Sequence, residues 1–231
     1  MKKFFLYGIL IFTLCVLFSC ADASPELILA SGSMVFDYEE NDSLPDTRLA
    51  VFVQMESEVQ RAETLVMESR SSGYCWRVTS PKLFRNGDKK WACYTNLQPP
   101  AKAKIPDGVY DFRYIDAAGE EAASSFIINY PEQLLTTKAE NVRDVLKSVT
   151  ENIALYDKNN VLIFFGKSRN NWVSNASILR DFNAAVTKRR CLSANNNRVI
   201  CLLPEESLLE KKKAETPANA AEQKEDDDSD E

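Results

Sequence analysis

The stretch I-P-D-G-V-Y-D-F-R-Y-I-D-A-A-G-E, residues 105–120, carries the clearest fold signal in this chain. Between Val109 and Ile115 large apolar and polar residues alternate, which is typical of a β-strand with one buried face. Residues 116–119 give a turn signal, and an apolar-rich strand returns from Ser124 to Tyr130. The stretch therefore predicts an antiparallel hairpin and a mainly β fold.

The segments before this hairpin repeat the pattern of short strands and polar turns. Between residues 49 and 55, alternation places four apolar side chains on one face: Leu49, Val51, Val53 and Met55. Further strand patterns occupy residues 26–38, 64–69, 73–79 and 91–97. About seven short strands separated by turns favour an antiparallel β-sandwich, which we expect to span residues 26–131.

The hairpin stretch also resembles a known family. It is similar to the last two strands of bacterial immunoglobulin-like and fibronectin-type modules, in which a Pro-Asp-Gly turn precedes a strand with a core tyrosine. The matching residues are Pro106, Asp107, Gly108, Tyr110, Asp116 and Gly119. The resemblance covers about 25 residues well and about 100 loosely, and it implies an immunoglobulin-like fold without implying a ligand.

The pattern changes after Pro131, and we expect residues 132–204 to form a smaller α+β domain of helix, hairpin, helix and hairpin. Residues 132–151 carry apolar residues at helical spacing. Ile153–Tyr156 and Val161–Phe165 then form a hairpin. Its second strand is continuously apolar, which indicates burial on both faces.

A second helix is expected to begin at Ser174 or Asn175, because either side chain can cap it. Its apolar stripe would consist of Ile178, Leu179, Phe182, Ala185 and Val186. The cations Lys188–Arg190 would then lie at its C-terminus and offset the helix dipole, with a phosphate site as the alternative interpretation. Cys191–Leu203 is expected to form a third hairpin around residues 195–197.

The N-terminus has the features of a secretory signal peptide. Lys2 and Lys3 precede the apolar run Phe4–Phe18, about 15 residues long. A helix needs ~20 apolar residues to cross a bilayer. The run therefore favours a cleaved signal of residues 1–19 over an uncleaved membrane anchor.

The residues L-F-S-C, 17–20, resemble the lipobox of bacterial lipoproteins. Phe18 fits the relaxed lipobox of spirochaetes and some other bacteria. The resemblance implies that Cys20 becomes the first residue of the mature chain and carries acyl chains such as palmitate, which anchor a protein to a membrane. Residues 20–25 would then be a tether to a bacterial membrane, expected to be the outer membrane. An ordinary signal peptide cut near Ala23 is the alternative.

Four cysteines remain beyond the signal and the lipobox. They are Cys75, Cys93, Cys191 and Cys201. An even number in an exported chain suggests two disulfides, and we favour the local pairs Cys75–Cys93 and Cys191–Cys201. Buried free thiols are the alternative. We expect no zinc site, because the chain has no C-x-x-C spacing.

The net charge of −6 is unevenly distributed. From Glu205 onward there are eleven acidic residues and four lysines, so this tail carries −7. Lys2 and Lys3 carry +2, which leaves −1 for residues 20–204. A near-neutral body predicts no nucleic-acid binding. Residues 205–231 have too little apolar surface to fold, and we expect a disordered acidic tail.

Histidine is absent from the chain, which excludes Ser-His-Asp triads, Cys-His pairs and H-E-x-x-H zinc proteases. We therefore assign no catalytic residue, no cofactor and no metal. An enzyme would have to use carboxylates such as Asp107, Asp111 and Asp116, which are equally consistent with a solvated strand edge.

These features predict a non-enzymatic interaction or structural module of the bacterial cell envelope, held at the membrane by its lipid. Its partner would be an unidentified envelope protein or polymer. The alternative is a carbohydrate- or peptidoglycan-binding lipoprotein that uses exposed aromatic residues. The candidate ligand-binding residues are Trp76, Trp91 and Trp172, although Trp76 and Trp91 are equally suited to core packing.

Overall fold

The computed structural model describes residues 24–56, 61–99 and 103–209. The predicted signal peptide, Cys20 and residues 210–231 lie outside the described residues. Within the described residues the chain is mainly β and forms two sheets. No helix in this part of the chain is long and apolar enough to cross a membrane.

Twelve strands lie in the described ranges, accompanied by two short α-helices. The strands are β1 (Leu27–Asp37), β2 (Asp46–Met55), β3 (Ala62–Ser69), β4 (Cys75–Thr79), β5 (Lys82–Asn86), β6 (Lys89–Leu97), β7 (Gly108–Asp116), β8 (Glu121–Ile128), β9 (Thr150–Asp157), β10 (Leu162–Gly166), β11 (Ala185–Ala194) and β12 (Val199–Ser207). The helices are α1 (Val142–Val145) and α2 (Asn175–Asp181). The large sheet has the order β10-β9-β11-β12-β1-β2-β6-β5, and the small sheet has the order β4-β3-β7-β8.

The predicted hairpin is confirmed as β7 and β8, which pair antiparallel. The Asp116 carboxylate holds its turn by accepting hydrogen bonds from the backbone N–H groups of Ala118 at 2.8 Å and Glu120 at 2.9 Å. Gly119 supplies the positive φ of 82° that the turn requires. The contacts that define this turn therefore lie within the hairpin itself.

The core lies between the two sheets. The four side chains that alternation placed on one face of β2 are all buried in it, as predicted: Leu49, Val51, Val53 and Met55. Tyr110 and Phe112 enter the same core from β7. The sheets approach closely at Gly32 of β1, where a Cβ atom would lie 2.5 Å from Cε2 of Phe126. Two packed sheets are consistent with the predicted sandwich.

The large sheet continues across the domain boundary expected after residue 131. Strand β12 pairs in parallel with β1, joining residues 199–202 to residues 34–37. The inter-sheet core likewise includes Leu134 and Leu203 from the second half. Hydrogen bonds along β1 and β12 therefore connect the two halves within one sheet, and residue 131 is not an edge of that sheet.

A half-buried ion-pair network reinforces this junction. Asp37 at the end of β1 accepts hydrogen bonds from Arg48 of β2 and Arg189 of β11. Arg189 also donates to the backbone carbonyls of Leu203 at 2.7 Å and Tyr38 at 3.1 Å. Burial by itself would raise the pKa of Asp37, but the bonds from the two guanidinium groups outweigh it and hold the pKa below its usual value.

A second apolar cluster lies at the other end of the large sheet. It comprises Ile153, Leu155, Trp172, Ile178, Ala185 and Leu208. Arg169 covers this cluster, with its guanidinium carbon 5.1 Å from the ring centre of Trp172 and 5.2 Å from that of Phe182. Asp181 pairs with Arg169 at 3.1 Å, so the charge that caps the cluster is neutralised.

Both helix predictions need correction. Residues 132–151 do not form one helix: they contain two 3-10 turns and α1, and β9 already begins at Thr150. The second helix does begin after Ser174, whose hydroxyl accepts from the Ser177 N–H in a capping box. It ends at Asp181, because the residues from Ala185 onward pair with β9 and β12 instead. Sheet pairing overrides the helical periodicity at the second helix. In residues 132–149 the chain is broken into short turns, whose apolar residues Leu134, Val142 and Leu146 are buried in the inter-sheet core.

The basic triplet Lys188–Arg190 therefore lies on β11 and not at a helix terminus. Lys188 and Arg190 pair with Glu206 of β12 at 3.1 Å and 3.4 Å. Glu205 and Glu206 belong to this strand, and Leu208 is buried, so the start of the acidic tail at residue 205 is wrong. These cations serve cross-strand pairing.

The apolar run Val161–Phe165 was predicted to be buried on both faces, and this is wrong. Its strand, β10, lies at the edge of the large sheet and pairs only with β9. Leu162 and Phe165 are 51% and 56% exposed. A continuous apolar run cannot distinguish a central strand from an edge strand, because that difference is set by sheet order.

Candidate functional site

The main candidate site is a cavity of about 620 Å³ on the outer face of the large sheet. We call it the sheet-face cavity. It is lined by Ser31, Gly32, Ser33, Phe52, Phe84, Asn86, Trp91, Asn152, Phe165, Cys191, Ser193, Asn196, Asn197, Arg198 and Ile200. These residues come from both edge strands, β5 and β10, and from the strands between them. The cavity therefore spans the sheet from one edge to the other.

Strand alternation explains the polar residues that line the cavity. In β1, Ala30 and Met34 point into the inter-sheet core, so Ser31 and Ser33 point to the opposite face. The same alternation in β11 buries Leu192 in the core and presents Ser193 to the cavity. Small hydroxyl side chains on the central strands leave room above the sheet.

Aromatic side chains line the cavity at both edges of the sheet. On one side, Phe84 of β5 lies directly opposite Trp91 of β6 in the register. Their rings stack with centres 6.1 Å apart and planes within 9°. On the other side, Phe165 of β10 is largely exposed. The indole Nε1 of Trp91 is buried and has no hydrogen-bond partner among the described residues.

The lining is almost uncharged. Arg198 is its one charged side chain within the described residues. It follows a turn of three asparagines, Asn195–Asn197, whose φ angles are all positive, at 51°, 55° and 64°. This turn confirms the third predicted hairpin and places two amide side chains at the cavity. Burial raises the pKa of the Cys191 thiol despite the opposing effect of Arg189, so this cysteine is protonated at neutral pH.

The three predicted tryptophans do not lie together. Trp76 packs in the inter-sheet core and donates from Nε1 to the Gln98 carbonyl at 2.9 Å. Trp172 packs in the second cluster and donates to Asp181 at 2.7 Å. Of the three, Trp91 is the one that lines the sheet-face cavity. Trp76 and Trp172 therefore lie outside this cavity, and Trp91 remains the candidate ligand-binding tryptophan there.

The three carboxylates considered for catalysis have structural neighbours outside the cavity. Asp111 accepts from Arg70 on the exposed face of the small sheet, and this bond lowers its pKa. Asp116 holds the β7–β8 turn and pairs with Arg61 at 3.2 Å. Asp107 lies 4.0 Å from Lys104. Asp111 is therefore suited to remaining ionised and not to acting as a general acid.

Neither predicted disulfide is present: Cys75, Cys93, Cys191 and Cys201 are all free thiols. The first pair is separated because Cys75 lies on β4 of the small sheet and Cys93 lies on β6 of the large sheet.

The second pair is separated by strand register. Cys191 lies opposite Leu202, and Cys201 lies opposite Leu192, so the two thiols point to opposite faces of the sheet. Cys191 lines the cavity, whereas Cys201 is buried in the core, where burial raises its pKa to about 12. Within the described ranges, no group of three or more acidic or cysteine side chains is arranged to hold a metal ion.

Comparison with known proteins adds no assignment. No protein-family model matches the chain, and no curated protein matches it significantly. The functional argument therefore rests on the residues of the sheet-face cavity and on the N-terminal sequence.

Sequence reasoning missed most of the cavity residues. Phe84 lies between the strand patterns 73–79 and 91–97, and Phe165 ends an apolar run expected to be buried. Ser31 and Ser33 lie inside the strand pattern 26–38, with no sign of a binding role. The available signal was the alternation of β1, in which serines flank Gly32 between apolar core residues. That pattern identifies an outward face, but it does not show which other strands share this face.

Proposed function

We propose that this protein is a lipoprotein of the bacterial cell envelope that acts as a non-enzymatic interaction module. The lipobox-like residues 17–20 support the anchor. Strand β1 begins at Leu27, so six residues separate Cys20 from the folded body. Six extended residues span at most ~20 Å. Such a tether would hold the body directly at the membrane surface, with the outer membrane as the expected location.

The finer fold proposal is an immunoglobulin-like module built from β1–β8. The strand order β1-β2-β6-β5 in one sheet and β4-β3-β7-β8 in the other corresponds to an A-B-E-D sheet packed on a C′-C-F-G sheet. Tyr110 donates to the Pro106 carbonyl four residues upstream at 2.6 Å, as a tyrosine corner does. Strands β9–β12 would then extend the first sheet, and residues 210–231 would form a disordered acidic tail.

The sheet-face cavity is the observation that carries the proposed binding role. Its lining offers hydroxyl groups, amides and aromatic rings, which bind and orient a ligand. Its one thiol, Cys191, is held in the protonated form, which is the poorer nucleophile. These groups suit recognition of a ligand better than its chemical conversion.

The anchor is tested by labelling cells with a palmitate analogue. We expect label in the wild-type protein and in Cys15→Ala, because Cys15 lies inside the predicted signal. We expect no label in Cys20→Ala. Equal labelling of the Cys20→Ala variant would contradict the lipid anchor.

The binding face is tested by crosslinking in intact cells. A photoreactive amino acid replaces Phe165 beside the cavity or, as a control, Ile127 on the small sheet, since both side chains are at least half exposed. We expect specific crosslinks to an envelope component from position 165. Crosslinks that form from position 127 and not from position 165 would assign recognition to the small sheet instead.

A further inference from the structure

We propose that the sheet-face cavity binds a neutral oligosaccharide. The proposal deepens the interaction function above, because it names the ligand class of the same site. Of the three predicted tryptophans, Trp91 contributes to this site, and Trp76 and Trp172 do not line it. The charge of the lining, its aromatic rings and its hydrogen-bonding groups support the proposal.

The charge of the lining excludes a strongly ionic ligand. Charged residues make up 27% of the chain, yet Arg198 is the one charged side chain that lines the cavity in the described part of the chain. A polyanion or polycation would lose its hydration there and meet few countercharges, which is unfavourable. An uncharged ligand meets no such cost.

The aromatic residues supply flat apolar surfaces at two places in the lining. Phe84 and Trp91 lie nearly parallel at one edge of the sheet, and the exposed Phe165 lies at the other. A pyranose ring presents a face of C–H groups that packs on an aromatic ring. Because the cavity extends from one edge to the other, an oligosaccharide can contact both ends, whereas a monosaccharide contacts one.

The lining between the aromatic rings provides donors and acceptors for hydroxyl groups. Ser31 donates weakly to the Phe52 carbonyl at 3.5 Å, and Ser193 donates to the Thr150 carbonyl at 3.4 Å. Bonds this long are readily exchanged for shorter bonds to a ligand. Asn152 adds an amide that both donates and accepts, which matches a sugar hydroxyl.

The buried Nε1 of Trp91 gives an independent indication. It is the one indole nitrogen in the described residues that lacks a partner, since those of Trp76 and Trp172 both donate. An unpaired buried donor is unfavourable. Because this atom is closed to solvent, a ligand hydroxyl would accept from it only after the indole ring shifts towards the cavity, and that bond would remove the cost.

The test is calorimetric titration of the purified protein in detergent with cellotetraose, tetra-N-acetylchitotetraose and maltotetraose, and with tetragalacturonate as a charged comparison. We expect saturable binding of at least one neutral tetrasaccharide. Trp91→Ala and Phe165→Ala should each weaken it about tenfold or more, which is typical of an aromatic anchor. Ile127→Ala, on the exposed face of the small sheet, is the matched control and should bind as the wild type does. Phe165 is exposed, so its variant keeps the test valid if Trp91→Ala fails to fold.

Three results would overturn the proposal. They are the absence of saturable binding to all three neutral tetrasaccharides, tighter binding of tetragalacturonate, and unchanged affinity in Phe165→Ala. Failure here is distinguishable from failure of the proposed anchor, because palmitate labelling depends on Cys20 and not on the cavity.

Discussion

Arg189 is expected to be the most important charged residue for the stability of the junction between the two halves of the chain. It is on β11, beside the register shift at residues 189–191, and its side chain is 20% exposed. The informative perturbation is Arg189→Met, which keeps a long apolar stem but removes the guanidinium group. The variant loses the ion pair with Asp37 and the bonds to the carbonyls of Tyr38, Leu202 and Leu203.

The expected magnitude follows from these contacts. Three hydrogen bonds to carbonyls contribute about 1 kcal/mol each after exchange with water. Removing one partner of a fully buried ion pair typically costs 3–5 kcal/mol, and the cost is smaller for Arg189 and Asp37, which are 20% and 22% exposed. It is reduced further, because Arg48 remains bonded to Asp37. We therefore expect Arg189→Met to lower the free energy of unfolding by about 3 kcal/mol, which corresponds to roughly 6–12 °C in Tm.

The assay is urea unfolding followed by circular dichroism at pH 7, and Arg190→Met is the matched control. Arg190 is the next residue on the same strand, its side chain is 41% exposed, and it pairs with Glu206 at the surface. Exposed ion pairs contribute less than about 1 kcal/mol. Equal destabilisation by the two variants, or a loss below about 0.5 kcal/mol for Arg189→Met, would refute the reasoning.

Three further predictions follow from the core and the thiols. The pKa of Asp37 is lowered on folding, so its contribution to stability is present above its unfolded pKa of about 4 and is lost as the pH falls through the folded value. Asp37→Asn should therefore unfold at a lower urea concentration than the wild type at pH 6. The difference between the two urea midpoints should narrow towards pH 2, and a constant difference would contradict this. Gly32→Ala should lower the free energy of unfolding by about 1–3 kcal/mol, because the added methyl group overpacks against Phe126, and Phe126→Leu should relieve part of this loss. Strict additivity of the two changes in urea unfolding would argue against the contact. Iodoacetamide should alkylate the exposed Cys75 in the native protein and leave Cys201 unmodified until the protein unfolds, as measured by mass mapping. Similar alkylation rates at both sites, or a cystine at Cys75, would show that the thiols are not arranged as described.

Local sequence was sufficient where a structure closes on itself within a few residues. The β7–β8 hairpin follows from its alternation and from Asp116, whose carboxylate accepts the turn's own N–H groups. The buried face of β2 follows from period-two alternation, and the start of α2 follows from the cap at Ser174. The turn and the cap are stabilised within one element or between adjacent ones, whereas the β2 face is buried against distant elements but is identified by its own alternation.

Prediction failed where the decisive contacts are distant in the chain. The helical stripe predicted to include Ala185 and Val186 yields to β11, whose partner β9 lies about 30 residues earlier in the chain. The apolar run at Val161–Phe165 looked central because the sequence does not show that β10 has a neighbour on only one side. The cysteine pairs looked adjacent, but sheet membership separates one pair and strand register separates the other.

The sequence by itself determined the mainly β character, the strong hairpin, the face of β2 and the prediction of a lipid-anchored N-terminus, because each depends on short-range periodicity or on a contiguous motif. Only the tertiary structure decided that β12 joins β1 and that Trp91, Phe84 and Phe165 line one cavity. The physical reason is that strand order is set by backbone hydrogen bonds between remote segments. Those pairings determine which outward-facing side chains become neighbours, and no local pattern encodes them.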